Sequence, residues 1–316
     1  MQYDHGLNAP YFDPAVLREE LAGLAKTHAR NETKLKQAVL ERLKLLAAEA
    51  CKQAEIGLQS DGSGRRCAEG LSLFQDKLIQ LIYDFTIDNI YFATNPSVAE
   101  RMAIIATGGY GRGLLAPGSD IDLLFLLPYK QTAWGESVVE FILYLLWDLG
   151  FKVGHATRTV GQCVRLSRAD ITIRTAMLDA RLIWGDRELF EELLENYGKN
   201  VVRGSGREFV EGKLAEQDQR HERSGISRYL VEPNIKDGKG GLRDLHTLYW
   251  LGKYLSAAED LDGFVAEGVF STDEYHTYRK CEDFLWTVRC HLHFLTGRAE
   301  ERLSFDVQQA MAERLG

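Results

Sequence analysis

Two carboxylates, Asp120 and Asp122, stand two residues apart at the head of the apolar run Ile121 to Leu127 (IDLLFLL). Just upstream lies the cluster Gly108-Gly109-Tyr110-Gly111-Arg112-Gly113. Residues two apart on a strand point to one face, roughly 7 Å apart along it, so both carboxylates can serve a shared site. Such a pair suits divalent cations: two Mg²⁺ ions about 4 Å apart would fit there, with Mn²⁺ as an alternative. Adjacent glycines let the backbone turn tightly and approach a ligand with no Cβ in the way, so the N–H groups of Gly108 and Gly109 can face phosphate oxygens. Arg112 can add a bidentate phosphate contact, and Ser119, beside the first aspartate, is a further candidate ligand. Together these residues predict nucleotidyl transfer, with Asp120 and Asp122 as metal ligands and catalytic residues.

Either half alone would be ordinary, since acidic residues often end strands and Gly-Gly often marks a plain turn. A dinucleotide-binding fold is disfavoured, because the glycines do not fit G-x-G-x-x-G and the next strand arrives too soon for a crossover helix. A P-loop is excluded, as G-x-x-x-x-G-K-[ST] is absent.

A second distinctive stretch is Val231 to Leu251 (VEPNIKDGKGGLRDLHTLYWL), where a glycine-rich loop feeds a helix. Free N–H groups near Gly240-Gly241, with Lys236, Lys239 and Arg243 nearby, predict an anion site. Asn234 and Asp237 could orient a base, a sugar or a metal-bound water; they serve equally well as loop residues that bond their own backbone.

The elements that must position these groups follow from periodicity. Met102 to Thr107 (MAIIAT) reads as a buried strand running into the glycine turn, and Phe151 to Val160 alternates as a third strand after a helix over Gly135 to Leu149. Pro14 to about Ala54 reads as one long helical arm, Ile56 to Gly70 as a loop, and Leu71 to Ile90 as an amphipathic helix. From Ala169 onward the pattern is helical, with segments at Asp170 to Trp184, Arg187 to Tyr197 and Glu208 to about Arg223. Ser271-x-x-Glu274 predicts a capping box ahead of a helix that carries His291 and His293, both read as structural. Asp306 to Leu315 is a last amphipathic stretch.

With 316 residues and 45% hydrophobic content, the chain has material for two packed domains, or for one domain with helical additions. A net charge of -8 and a pI near 5.6 argue against nucleic acid as a partner and favour a protein or small-molecule acceptor. Five cysteines without C-x-x-C spacing suit small buried thiols in a reducing cytosol. No apolar run reaches the ~20 residues that span a bilayer, so no membrane partner and a cytoplasmic location are expected.

The glycine pair and aspartate pair resemble the signature of the nucleotidyltransferase superfamily that includes DNA polymerase beta. Together with VGHATRTV at 153–160, DITIRTAMLDARLIWGD at 170–186 and EPNIKDGKGGLRDLHTLYWL at 232–251, the chain from about residue 70 to its end resembles the bacterial PII uridylyltransferases. NIKDGKGGLRDL is also similar to glutamine synthetase adenylyltransferases. Those carry an acidic residue in an arginine-rich run where this chain has Gly154-His155-Ala156. The resemblance implies an α/β (α+β) nucleotidyltransferase core of the DNA polymerase beta type with a mixed sheet at 71–168. An N-terminal helical arm and loop at 1–70 and an all-α domain at 169–316 would flank it. It further implies that UMP passes from UTP to a tyrosine of the PII signal protein, with a silent nucleotide-binding or PII-docking module as the nonenzymatic alternative.

The superfamily also leads one to expect a third carboxylate from a neighbouring strand, and none stands at the obvious position. Asp148 precedes the third strand, Asp170 occupies a helix N-cap, and His155 could either face the site or pack. Full enzymes of the family carry an HD hydrolase domain and two glutamine-sensing ACT domains. The chain has no His-Asp dipeptide, so a fragment holding the transferase machinery is expected.

Overall fold

Leucine spacing over residues 14–61 is helical, yet the run forms two helices rather than one in the computed structural model, which describes residues 11–92, 97–129, 131–223, 230–256, 258 and 260–316. Helix α1 (Pro14–Thr27) starts on Asp13, whose carboxylate accepts the Ala15 N–H at 2.8 Å. Helix α2 (Glu32–Asp61) restarts on Asn31, which caps Lys34 N–H at 3.0 Å. Residues 1–10 of the expected arm lie outside the described residues. The loop expected at Ile56 to Gly70 is corrected to a two-residue turn. Gly62, left-handed at φ 69°, ends α2, and Ser63 caps α3 (Gly64–Asn89), so the polar composition marked one tight turn between helices.

Strands β1 (Ala103–Ala106), β2 (Ile121–Leu127), β3 (Val153–Thr159) and β4 (Arg181–Gly185) form a mixed sheet in the order β3-β2-β1-β4. β1 is antiparallel to both β2 and β4, whereas β2 and β3 are parallel. That parallel pair needs a crossover, and α5 (Ala133–Asp148) supplies it. β4 is a correction to the single helical segment expected over Asp170 to Trp184. Asp170 caps only a short helix, α7 (Ile171–Leu178), after which the chain extends to cover the free edge of β1. A five-residue strand on a sheet edge carries little periodicity by which to reveal itself.

The sheet is buried on both faces. Ile104, Leu123 and Phe125 pack against α1, α2, α3 and α5. Ile105, Leu124 and Leu126 pack against α6 (Val160–Ala169), α7 and α8 (Arg187–Tyr197). At roughly 1.5 to 3 kcal/mol per buried large side chain, these strands anchor the fold. Only Asp122 in β2 escapes full burial.

Below the sheet run α9 (Gly206–Arg223), α10 (Leu242–Leu255), α11 (Leu261–Ala266), α12 (Thr272–Thr296) and α13 (Phe305–Leu315). The capping box predicted at Ser271 and Glu274 forms. Helix α12 lies along α3, burying Trp286 and Cys290 against Ala68 and Leu114. α9 and α10 join through Phe209 stacked on Tyr254 at 3.8 Å. No helix among the described residues is long and apolar enough to cross a membrane.

Candidate active site

Strand β1 ends at Ala106, and the chain turns at once into the short helical segment α4 (Gly108–Gly111). Gly108 takes φ 58°, a left-handed conformation that costs an L side chain about 1 to 2 kcal/mol, so glycine is required for the turn. The turn is held from below. Buried Tyr110 donates its hydroxyl to Asp76 at 2.7 Å, and Arg181 of β4 reaches the same carboxylate at 2.6 Å while donating to the Gly111 and Tyr110 carbonyls. Asp76 on α3 thus ties the glycine turn to β4, the edge strand beside β1.

Asp122 lies against this turn. Its backbone carbonyl accepts the Thr107 N–H at 3.0 Å, and its side chain sits between two glycines. A Cβ on Gly108 would stand 3.0 Å from Oδ2, and one on Gly154 would stand 2.5 Å from Oδ1. Gly154 is the register partner of Asp122 on β3. Burial raises the Asp122 pKa, the neighbouring Asp120 charge raises it further, and Lys236 opposes both. The two aspartates therefore share a field, although Asp120 precedes β2 and is exposed where Asp122 is half-buried.

His155 is paired with Leu123, so alternation turns it to the other face of the sheet, where its ring lies 5.9 Å from Trp147. Asp148 ends α5 and is exposed, and Asp170 spends its carboxylate on Thr172 and Ile173 N–H groups. Among the described residues, no group of three or more His, Cys, Asp or Glu could hold a metal. The chain itself offers two carboxylates there, in a cradle that a Cβ on either side would fill. That donor set fits a hard divalent cation completed by oxygen ligands from elsewhere.

Arg112 is placed differently from the phosphate contact expected of it. Its side chain is 9% exposed and ion-paired to Asp179 at 2.5 Å. Nη2 lies 3.3 Å from His246 Nδ1, and the guanidinium stands 5.3 Å from the Trp250 ring. Trp250 in turn donates to Asp179 at 2.8 Å. Gly109 is exposed next to Arg112 Nη2.

The second motif folds back on itself. Asn234 accepts the N–H groups of Lys236 and Asp237 at 3.0 and 2.6 Å, the local role open to it from sequence. The free amides expected near Gly240-Gly241 are spent within the loop. Leu242 and Arg243 donate to the Ile235 and Lys236 carbonyls, and Gly240 donates to Asp244. Gly241 permits this closure, since a Cβ there would meet Ile235 O at 2.6 Å.

The side chains of the motif nevertheless converge on the site. Lys236 is near enough to act on Asp122, and Arg243 lies 5.7 Å from the Trp250 ring, whose neighbour Lys213 is 4.4 Å away. Burial, then Arg112, Arg243, Arg289 and Lys236, drive the pKa of buried His246 well below its ordinary value, keeping it neutral. Lys239 is exposed at the loop tip. Ser119 accepts a hydrogen bond from Arg289 at 3.3 Å. An acidic chain thus concentrates cations beside its aspartate pair. Sequence reading missed Gly154, Lys213, Arg289 and Glu301 as members of this environment. Only Gly154 left a signal, as a glycine where an acid was expected.

The glycine turn and both aspartates lie within a segment that matches a known domain family. Residues 96–173 match the nucleotidyltransferase domain family, and residues 208–316 match the family described as GlnD PII-uridylyltransferase. The chain is 55% identical over 305 residues to the bifunctional uridylyltransferase/uridylyl-removing enzyme of Rhodopseudomonas palustris, covering 96% of this chain and 33% of the relative. It is 56% identical over 307 residues to that of Bradyrhizobium diazoefficiens, with 96% and 33% covered. These matches liken the chain to the PII-uridylyltransferases, and it spans about a third of the length of these curated relatives.

Proposed function

We propose that this chain transfers UMP from UTP to a tyrosine of the PII signal protein, releasing pyrophosphate, through a core of the DNA polymerase beta type expected at residues 71–168 and extended by β4 (Arg181–Gly185). The observation that carries the reading is the meeting of both motifs around the aspartates: the Asp122 side chain lies between Gly108 and Gly154, and Lys236 of the second loop shares Glu301 with Arg289, which holds Ser119 beside Asp120. The likeness to PII-uridylyltransferases supports PII as the acceptor and UTP as the uridylyl donor.

Asp120 and Asp122 would hold Mg²⁺ or Mn²⁺. When bound, the metal would lower the pKa of the attacking hydroxyl and offset charge on the leaving pyrophosphate. Gly108 and Gly109 leave the backbone open to the phosphates, and Ser119 borders the first carboxylate. Lys236 and Arg243, with Lys239 at the rim, compensate the negative charge of the triphosphate in a site of reduced dielectric. Arg112 and Asn234 act through shape. The first fixes the glycine turn against Asp179, and the second closes the loop that carries Lys236. Uridylyl removal and glutamine sensing are not assigned to these residues.

The test is incubation with Mg²⁺, labelled UTP and PII. Label should pass to PII with the wild-type chain and fall at least 10³-fold with Asp120→Asn or Asp122→Asn. Transfer unaffected by changing both aspartates would overturn the site assignment, and label taken from ATP instead of UTP would overturn the substrate.

A further inference from the structure

Asp120 follows directly on Gly118 and Ser119, so whatever fixes that turn aims the first carboxylate. The restraints come from far along the chain. Arg289 of α12 has a side chain 7% exposed and donates through Nη2 to Ser119 Oγ at 3.3 Å. One helical turn on, His293 is fully buried, and its Nδ1 accepts the Gly118 N–H at 3.2 Å. That bond leaves the ring proton on Nε2, which faces Glu301 Oε1 at 3.6 Å. The turn also lies against the backbone after α12, where a Cβ on Gly118 would stand 2.7 Å from Ala299 N.

Glu301 gathers these groups. Arg289 grips its carboxylate through Nε at 3.0 Å to each oxygen and through Nη2 at 2.7 Å. Lys236 Nζ approaches Oε1 at 3.9 Å, and the Glu301 carbonyl accepts the Ile235 N–H at 2.8 Å, which pins the second motif. One carboxylate, 17% exposed, thus stands against the cation that holds Ser119, the histidine that holds Gly118 and the lysine of the second motif.

We propose that Glu301 is a positioning residue for the carboxylate pair, acting through Arg289 and His293 on the Gly118–Ser119 turn. The proposal rests on Asp120 and Asp122 being the metal-binding pair. With Glu301 neutralised, Arg289 and Lys236 lose their counter-charge beside two other carboxylates. Both cations then turn to Asp120 and Asp122 and compete with a divalent cation for them. A purely structural Glu301 would cost stability and leave metal affinity unchanged.

The test measures Mn²⁺ binding by calorimetry and the Mg²⁺ dependence of uridylyl transfer in the full chain. The variants are Glu301→Gln, Ser119→Ala and the double variant. Glu301→Gln should weaken Mn²⁺ binding about tenfold and Ser119→Ala about threefold. The double variant should lose about tenfold rather than about thirtyfold, because both act on one path. Multiplicative losses, or unchanged Mn²⁺ affinity in Glu301→Gln, overturn the proposal. If Glu301→Gln does not fold, Glu301→Asp enters the same cycle with the same criterion. A wild type that binds Mn²⁺ yet transfers nothing refutes the enzymatic reading and leaves the Glu301 test standing. A wild type that binds no Mn²⁺ overturns the Glu301 proposal as well.

Discussion

Replacing Gly154 by alanine should separate activity from stability. The added methyl would stand 2.5 Å from Asp122 Oδ1, whereas an ordinary carbon–oxygen approach is about 3.3 Å, so the carboxylate must retreat by roughly 0.8 Å. Catalytic groups tolerate displacements of about 0.5 Å, and an error near 1 Å costs on the order of 10²-fold, or roughly 2.7 kcal/mol of transition-state stabilisation. The fold should not suffer. Gly154 is exposed on the edge strand with no left-handed φ, and alanine is favoured over glycine in a strand by roughly 0.5 to 1 kcal/mol. The assay is labelled UMP transfer to PII beside thermal unfolding and Mn²⁺ calorimetry. Gly23→Ala serves as control, since nothing lies within 4 Å of a Cβ there. Expected is a loss near 10²-fold and weakened Mn²⁺ binding, with an unfolding midpoint at or above wild type. A Gly154→Ala enzyme with wild-type turnover and metal affinity would show that Asp122 needs no such clearance.

Arg112→Ala should destabilise the chain by about 3 to 5 kcal/mol in urea unfolding, because it strands the fully buried Asp179 carboxylate with only the Trp250 N–H. An unchanged midpoint would return Arg112 to a free, ligand-facing role. Burial would raise the Glu301 pKa, but His293 and Arg289 pull it from 4.5 down to about 2. Since the folded value is depressed, its contribution is full above about pH 4.5 and is lost as pH falls toward 2. It amounts to roughly 3 kcal/mol. The stability gap between wild type and Glu301→Gln should therefore close over that window, and a gap constant with pH would refute the pairing.

What could be read from sequence depended on how local the signal was. The glycine turn and the head of β2 were legible because their signals occupy fifteen residues of continuous chain. Ser271 and Glu274 announced α12 for the same reason: a capping box is complete within four residues. The pairing of Arg112 was not legible because Asp179 lies sixty-seven positions away, and an arginine's partners are chosen in three dimensions. The loop amides near Gly240 were misjudged because satisfaction of N–H groups depends on how the glycines fold, and Gly238 and Gly241 fold the loop onto its own carbonyls. β4 was invisible because five residues ending in Trp184 and Gly185 fit a helical pattern as readily as an edge strand.

The third carboxylate illustrates how register decides what a strand can contribute. β3 runs parallel to β2 with Asp122 beside Gly154, Leu124 beside Ala156 and Leu126 beside Arg158, so these three residues of β3 share the aspartate's face. None is acidic, and at the one adjacent to Asp122 even a methyl would press on the carboxylate. A carboxylate at Gly154 would press on Oδ1 and add a third negative charge to a pair whose second member is already hard to ionise. Cations stand near by instead: Lys236, close enough to favour the ionised Asp122, with Arg289 and Arg243 in the network behind it. Two carboxylates leave a divalent cation short of oxygen ligands, which a polyphosphate would supply.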